Sequence, residues 1–457
     1  MLYLQNNPRI MLVQFSVTNF KTFRNKVVLS LIASKYDKTR ALANFSSEST
    51  FGFNLLKSAV VYGANASGKS KLMEAFIFMR RLVLTSSNES QKGEPINVEP
   101  FLLSSETIEK PSEFEIIFIH KKQLFRYGFE VDKSRVVSEW LYYRPLTKEI
   151  ELFVRDNQDF STHERKFAKG TKLAREKMVR ENALMLSVAA QFNEDIAASA
   201  LDWFKRLRII SALEPDGYKG YSMGSLKDNT KKQKILEMLQ QADLSISDIN
   251  LQTVDFQSFS KNMPADLKNI LSQKFLGKKG EIVKVHTSHL VYDKNMNVIN
   301  TVDFNLEFDE SSGTNQFFAL TGPIIDVIEN GFVLAVDELD SKLHPNLVLK
   351  IIEIFNSEVY NPKNAQLIFN THDTNLLDAD IFRRDQIWFV EKDRFGASNL
   401  YSLSDLKDVR KSEDFENNYI TGKYGAVPIV SDFDGIYDAS SMNSMNHGRK
   451  KTETDSK

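Results

Sequence analysis

The sequence predicts an α/β fold with an antiparallel β lobe and a mixed, mainly helical insertion. Three observations carry that expectation. A glycine-containing stretch, Gly63 to Ser70 (GANASGKS), sits between a short apolar run and a helical pattern. A second apolar run, Val333 to Val336, ends on Asp337-Glu338. Between them the period of apolar residues switches from two to helical and back again.

The first elements are short strands: Leu12 to Phe20 alternates at period two, Val27 to Ile32 is mostly apolar, and Ser58 to Tyr62 leads into the glycine loop. All three read as opening strands of a nucleotide-binding sheet. Ser70 to Leu84 has helical spacing, and its N-terminus would face whatever the loop holds. Phe114 to His120, Leu124 to Val131, Val136 to Tyr143 and Ile150 to Arg155 are β-rich and separated by turns, the pattern of an antiparallel meander. Lys166 to Ile210, Lys227 to Asp243 and Ala265 to Gln273 read as helical, and Glu281 to Tyr292 with Val298 to Phe308 as paired strands. No heptad run is long enough for a coiled-coil arm. The expected division is an extension at 1–10, a first head segment at 11–160, an insertion or lid at 161–300, a second head segment at 301–435 and a disordered tail at 436–457.

With 457 residues, 42% of them hydrophobic, the chain can bury the core of two or three domains or lobes. Lys and Arg number 59 against 60 Asp and Glu, so no bulk positive field drives indiscriminate nucleic-acid binding, and any such contact must be local. The stretch His163 to Arg180 is the one basic concentration, readable as a solvated helix face or as a nucleic-acid or partner surface. Absence of cysteine excludes disulfides, thiolate chemistry and Cys-ligated zinc. MLYLQNNPRI has no secretory pattern, and no apolar run approaches the ~18 residues of a spanning helix, so a cytoplasmic protein without membrane contact is expected.

Gly63 to Ser70 fits G-x-x-x-x-G-K-[ST] in its strand–loop–helix setting. In such a loop the backbone N–H groups of Gly63, Ala64, Asn65, Ala66, Ser67 and Gly68 wrap phosphates. Lys69 would reach the β- and γ-phosphates of ATP, and Ser70 would ligate Mg²⁺. A buried strand delivering Asp337 and Glu338 at its C-terminal end supplies a second Mg²⁺ contact (Asp337) and a group to orient or deprotonate water (Glu338). His372 leaves another apolar run, Gln366 to Asn370, and reads either as a structural histidine or as a reporter of the γ-phosphate. Ser311 and Gly313 precede a helix and read either as a simple N-cap or as an anion site.

Taken together, YGANASGKS, ESSGTNQFFAL, VDELDSKLHP and FNTHDTNLLD, with VTNFKTFRN before them and DQIWFVEKD and YITGKYGAVP after, resemble the ABC-type ATPase head shared by SMC-like proteins, transporters and OLD-type ATPases. Within that group the chain is most similar to prokaryotic AAA-type ATP-binding proteins related to RloA and AbiLi, many of them in phage-defence operons. The resemblance spans Val17 to Pro428. It implies a P-loop NTPase of ABC type that binds ATP and Mg²⁺ and forms a homodimer or larger homo-oligomer. Gly63 to Ser70, Asp337, Glu338 and His372 of one subunit would then face Ser311 and Gly313 of the other, with Asp340 in the D-loop position. Glu310, Ser312 and Thr314 depart from transporter signatures. Catalysis would rest on Lys69, Glu338 and His372.

The function so implied is an ATP-hydrolysing switch, the sensor or regulatory ATPase of an anti-phage system whose effector, a nuclease or toxin, is encoded nearby. The alternatives are an SMC-like DNA-repair ATPase and an OLD-like nuclease-associated ATPase. Asp432 and Asp434 invite the nuclease reading, but only a short polar sequence follows them.

Overall fold

A computed structural model describes residues 10–37, 45–48, 51–211, 215–242, 244–255, 281–410 and 413–428. The expectations for residues 1–9, for a helix at Ala265 to Gln273, for Asp432 and Asp434 and for the tail lie outside the described residues.

Two large sheets organise the chain. The first holds β11 (Leu207–Ile210), β15 (Val333–Val336), β16 (Gln366–Asn370), β5 (Ser58–Tyr62), β17 (Ile387–Lys392) and β18 (Ser398–Ser402), in that order. All neighbours are parallel except β18, which runs antiparallel at the edge. Strands β15, β16 and β5 are buried at every position, as parallel strands covered on both faces must be. The chain has a P-loop NTPase fold.

The second sheet is wholly antiparallel, in the order β10 (Asp159–Thr162), β9 (Ile150–Asp156), β8 (Val136–Arg144), β7 (Gln123–Val131), β6 (Ser112–His120), β1 (Ile10–Thr18), β2 (Val27–Ser30). The meander is as expected, but β1 and β2 belong to it rather than to the nucleotide sheet. Period-two patterning says that a strand is half covered, not by which sheet. Here β1 pairs with β6, setting Phe15 opposite Ile116 and Val17 opposite Phe114. One amide stitches the two sheets: buried Gln366 of β16 accepts from Leu12 N–H at 2.6 Å and donates to the Leu12 and Leu56 carbonyls. A two-stranded ribbon, β3 (Phe45–Glu48) with β4 (Phe53–Leu56), lies between them in sequence.

Helix α1 (Lys69–Thr85) follows β5 and buries Leu72, Met73, Phe76, Met79 and Val83 at helical spacing. Then come α2 (Ala168–Arg175), α3 (Met185–Gln191) and α4 (Asp195–Arg206). The helical expectation for Lys166 to Ile210 holds for these three short helices but fails at residues 176–184 and 192–194, which are turns and irregular chain, and at the last four residues, which form edge strand β11. Ile210 lies opposite Val336, and its carbonyl takes the Asp337 N–H at 2.9 Å. Helices α5 (Pro215–Ser225) and α6 (Asn229–Gln241) lead to a third sheet, β12 (Asp248–Asp255), β13 (Glu281–Tyr292) and β14 (Val298–Asn305), all antiparallel. The chain then re-enters the core through α7 (Ser312–Asn330), α8 (Pro345–Asn356) and, near the end, α9 (Phe415–Ile420).

Candidate nucleotide site

The register of the parallel sheet decides what meets at its C-terminal edge. Val336 lies opposite Phe369, and Asn370 opposite Val61, so the chain leaves β15, β16 and β5 at one level. Asp337, Thr371 and Gly63 are therefore neighbours in space although far apart in sequence.

The loop from Gly63 to Gly68 closes under close contacts. A Cβ on Gly63 would lie 2.3 Å from the Val390 carbonyl oxygen. At Gly68, with φ 114°, a Cβ would lie 2.7 Å from both Ser398 Oγ and Thr22 Oγ1. Only glycine satisfies both the backbone conformation and the space there. Buried Lys69 donates from Nζ to the Gly63 carbonyl at 2.7 Å and to that of Ala64 at 3.1 Å. Burial lowers its pKa from the ordinary value, against the opposing pull of Glu338, Asp340 and Asp337. The cavity over the loop, about 410 Å³, is lined by Ala64 to Lys71 together with Thr22, Glu338, His372 and Lys392. Two buried hydroxyls beside the loop, Ser67 Oγ and Thr22 Oγ1, have no hydrogen-bond partner. Unpaired buried donors and a glycine cradle fit a polyphosphate.

The acidic pair is held by a side chain whose role the sequence did not disclose. Asn370, fully buried at the end of β16, donates from Nδ2 to Asp337 Oδ1 at 2.5 Å. Its Oδ1 accepts the Glu338 N–H, also at 2.5 Å. Glu338 itself is left-handed, φ 56°, which is uncommon for a residue with a long side chain. The clamp thus fixes the Asp337 carboxylate and turns the chain so that Glu338 lines the cavity. Two residues on, His372 is exposed and lines the same cavity, and its N–H donates to Asp340 Oδ2 at 3.1 Å. Another late residue lies beside the loop: the Tyr419 hydroxyl of α9 faces the Gly63 backbone and donates to the Ala426 carbonyl at 3.1 Å, and burial pushes its pKa up to about 12. Thr22, Lys392, Tyr419 and Asn370 all lie within segments that carry the resemblance, VTNFKTFRN, DQIWFVEKD, YITGKYGAVP and FNTHDTNLLD, but the sequence assigned none of them a role.

Ser311 and Gly313 are placed elsewhere. Ser311 caps α7, its Oγ accepting Thr314 N–H at 3.0 Å, so the N-cap reading holds within the chain. Gly313 packs on the loop after β15, where a Cβ would meet the Lys342 carbonyl at 2.9 Å. Neither residue lines the cavity over the glycine loop. Glu310 is committed internally, its carboxylate accepting from Thr287 Oγ1 at 2.5 Å and lying 2.7 Å from His289 Nε2. In the basic stretch, Lys166 donates to the Tyr143 hydroxyl, Lys169 to the Asn193 carbonyl and Arg180 to the Ser86 and Ser87 carbonyls. Arg180 is half-buried, whereas Arg165, Lys166, Lys169, Lys172, Arg175 and Lys177 are exposed.

Among the described residues no group of three or more His, Asp or Glu side chains could hold a metal by itself. Ser70 and Asp337, the residues expected to hold Mg²⁺, would supply two protein donors, a number that suits an ion completed by phosphate and water. No helix of the described residues is long and apolar enough to cross a membrane.

No curated protein matches the chain in sequence. Among solved structures, one titled "Crystal structure of the SmcHead bound to the C-winged helix domain of ScpA" is similar over 86% of this chain and 97% of its own, at 14% identity and a TM-score of 0.38. That likeness is too distant to transfer any detail. A family model described as "AAA domain, putative AbiEii toxin, Type IV TA system" matches residues 58–378, more than half of the chain and a span that includes the glycine loop, Asp337, Glu338 and His372, and the chain belongs to that family of P-loop ATPases.

Proposed function

We propose that the chain binds and hydrolyses ATP with Mg²⁺ and uses the cycle as a conformational switch. The single observation that carries this is the Asn370 clamp, which holds Asp337 and Glu338 side by side, with Glu338 lining the cavity that Lys69 and His372 also line. Bound Mg²⁺ would neutralise phosphate charge, with Ser70 and Asp337 as its protein ligands. The backbone N–H groups from Gly63 to Gly68 bind and orient the phosphates. Lys69 moves from the Gly63 and Ala64 carbonyls to the terminal phosphates. Glu338 orients the attacking water and accepts its proton. His372 contacts the γ-phosphate, and its backbone tie to Asp340 passes occupancy to the loop that carries Lys342.

Ser311 and Gly313 lie away from the cavity of their own chain, which supports a composite site: two copies arranged head to tail, each lending Ser311 and Gly313 to the other's ATP. The family description names a toxin and a toxin–antitoxin system; together with the sequence resemblance to ATPases of phage-defence operons, it favours a role in which this ATPase governs a partner effector of an anti-phage system.

The test is steady-state phosphate release and ATP binding by the purified chain. Lys69→Ala is expected to lose nucleotide binding. Glu338→Gln is expected to bind ATP normally while turnover falls about 10²–10⁴-fold, the usual share of a general base. Wild-type turnover by Glu338→Gln would remove Glu338 from the chemistry.

A further inference from the structure

Strand β14 is exposed at every residue from Val298 to Phe304, on both faces of the sheet. Its one partner is β13, and no described strand pairs with its outer edge. The sequence VINTVDFN nevertheless has the composition of a strand that pairs: Val298, Ile299, Thr301 and Val302 are β-branched, and Phe304 is aromatic. Exposure reaches 63% at Ile299 and 55% at Val298. Natural sheet edges are protected by lysine, proline, inward charges or a covering element. β14 has no lysine or proline and a single charge, Asp303, which is already engaged by Ser288 Oγ at 2.6 Å. A bulge leaves Ile299 unpaired near one end, but Asn300 to Asn305 keeps continuous register and so offers a regular outer edge.

We propose that β14 pairs antiparallel with β14 of a second copy of this chain, independently of the ATP-bound dimer. A two-fold axis perpendicular to the sheet keeps each face on its own side, so one residue must lie opposite its own copy. Centred on Val302, the pairing sets Val302 against itself, Thr301 against Asp303 and Asn300 against Phe304. Centred on Thr301, it sets two threonines opposite each other, a favourable cross-strand pair, and Asn300 against Val302. Neither register brings Asp303 against Asp303, and this self-compatibility argues for a second copy over a foreign strand. The contact would also bear on the nucleotide site. Glu310 is fastened to Thr287 and His289 on β13, and the next residue is Ser311. Fixing β14 of one copy to β14 of the other therefore seats the Ser311 turn of each.

The test exploits a chain without cysteine. Thr301→Cys and Val302→Cys are introduced singly into full-length protein that also carries Lys69→Ala, and oxidised without nucleotide. Leu146→Cys, in a turn of the antiparallel lobe at a residue 69% exposed, serves as control. The expected result is a disulfide-linked dimer from one of the two β14 variants, forming at least about tenfold faster than from the control because pairing raises the local thiol concentration. Val302→Lys should convert the nucleotide-free dimer to monomer in sedimentation equilibrium. A nucleotide-free monomer with no preferential cross-linking overturns the proposal, as does a dimer untouched by Val302→Lys. The Lys69→Ala background keeps both results separate from any failure of the ATP reading.

Discussion

Asn370 shows how much one amide can hold. Its two ends bind opposite partners, the Asp337 carboxylate and the Glu338 N–H, each at 2.5 Å. Aspartate there would set a second negative charge against Asp337, and an apolar residue would leave the Glu338 N–H without its acceptor. We expect Asn370→Ala to lower kcat about tenfold or more, as positioning losses do, and to cost about 1–3 kcal/mol of stability. Initial rates and thermal denaturation check both. Wild-type turnover would mean that Asp337 and Glu338 hold their places unaided. Asp337 and Glu338 were legible in the sequence because they follow directly on the strand that aims them, and Lys69 because it closes the glycine loop between β5 and α1. Asn370 was not, because its role depends on two strands 33 residues apart lying in one register.

At the scale of elements, α7 contains Pro323, which has no N–H for the Ala319 carbonyl one turn back. The Ser222 hydroxyl of α5 repairs the gap, donating to Ala319 O at 2.8 Å and accepting Gly322 N–H at 3.1 Å. Ser222→Ala should therefore cost about 1–3 kcal/mol in wild type and distinctly less beside Pro323→Ala. A double-mutant cycle by urea denaturation measures the difference, and equal costs in both backgrounds would contradict the repair. Another element contact titrates. His120, at the end of β6, has no exposed side-chain surface and faces Asp202 of α4 at 3.1 Å. Burial brings its pKa down to about 4, partly opposed by Asp202. Because the folded value is depressed below the ordinary 6.5, the contribution is intact above pH 6.5 and is lost as pH falls toward 4. Relative to His120→Gln, wild type should lose about 2–3 kcal/mol over that window. Parallel denaturation curves of the two proteins provide the check, and curves that stay parallel across it would refute the assignment. Helix α1, the meander and the β13–β14 pair were readable from periodicity. The sheet membership of β1, β2 and β11 was not, since pairing partners are chosen by long-range packing that a local window does not contain.

For the molecule as a whole, the separation of Ser311 and Gly313 from the glycine-loop cavity makes the composite site testable by complementation. Ser311→Arg spoils what a protomer lends, and Lys69→Ala spoils what it keeps. Each variant alone should be inactive. A one-to-one mixture should recover about a quarter of wild-type turnover, since half of randomly mixed dimers are mixed and each holds one intact site. No recovery would argue that both halves of the site reside in one chain. The glycine loop carries a further consequence, in time rather than space. Ser398 Oγ donates to the Ser67 carbonyl at 2.5 Å across 331 residues of sequence, and Glu338, His372 and Tyr419 are likewise late arrivals. At synthesis rates of roughly 5–20 residues per second, the loop is made about 15–65 seconds before the residue that buttresses it. A nascent chain thus carries a phosphate loop without its walls, and those walls close only after Ser398 and Tyr419 have been made.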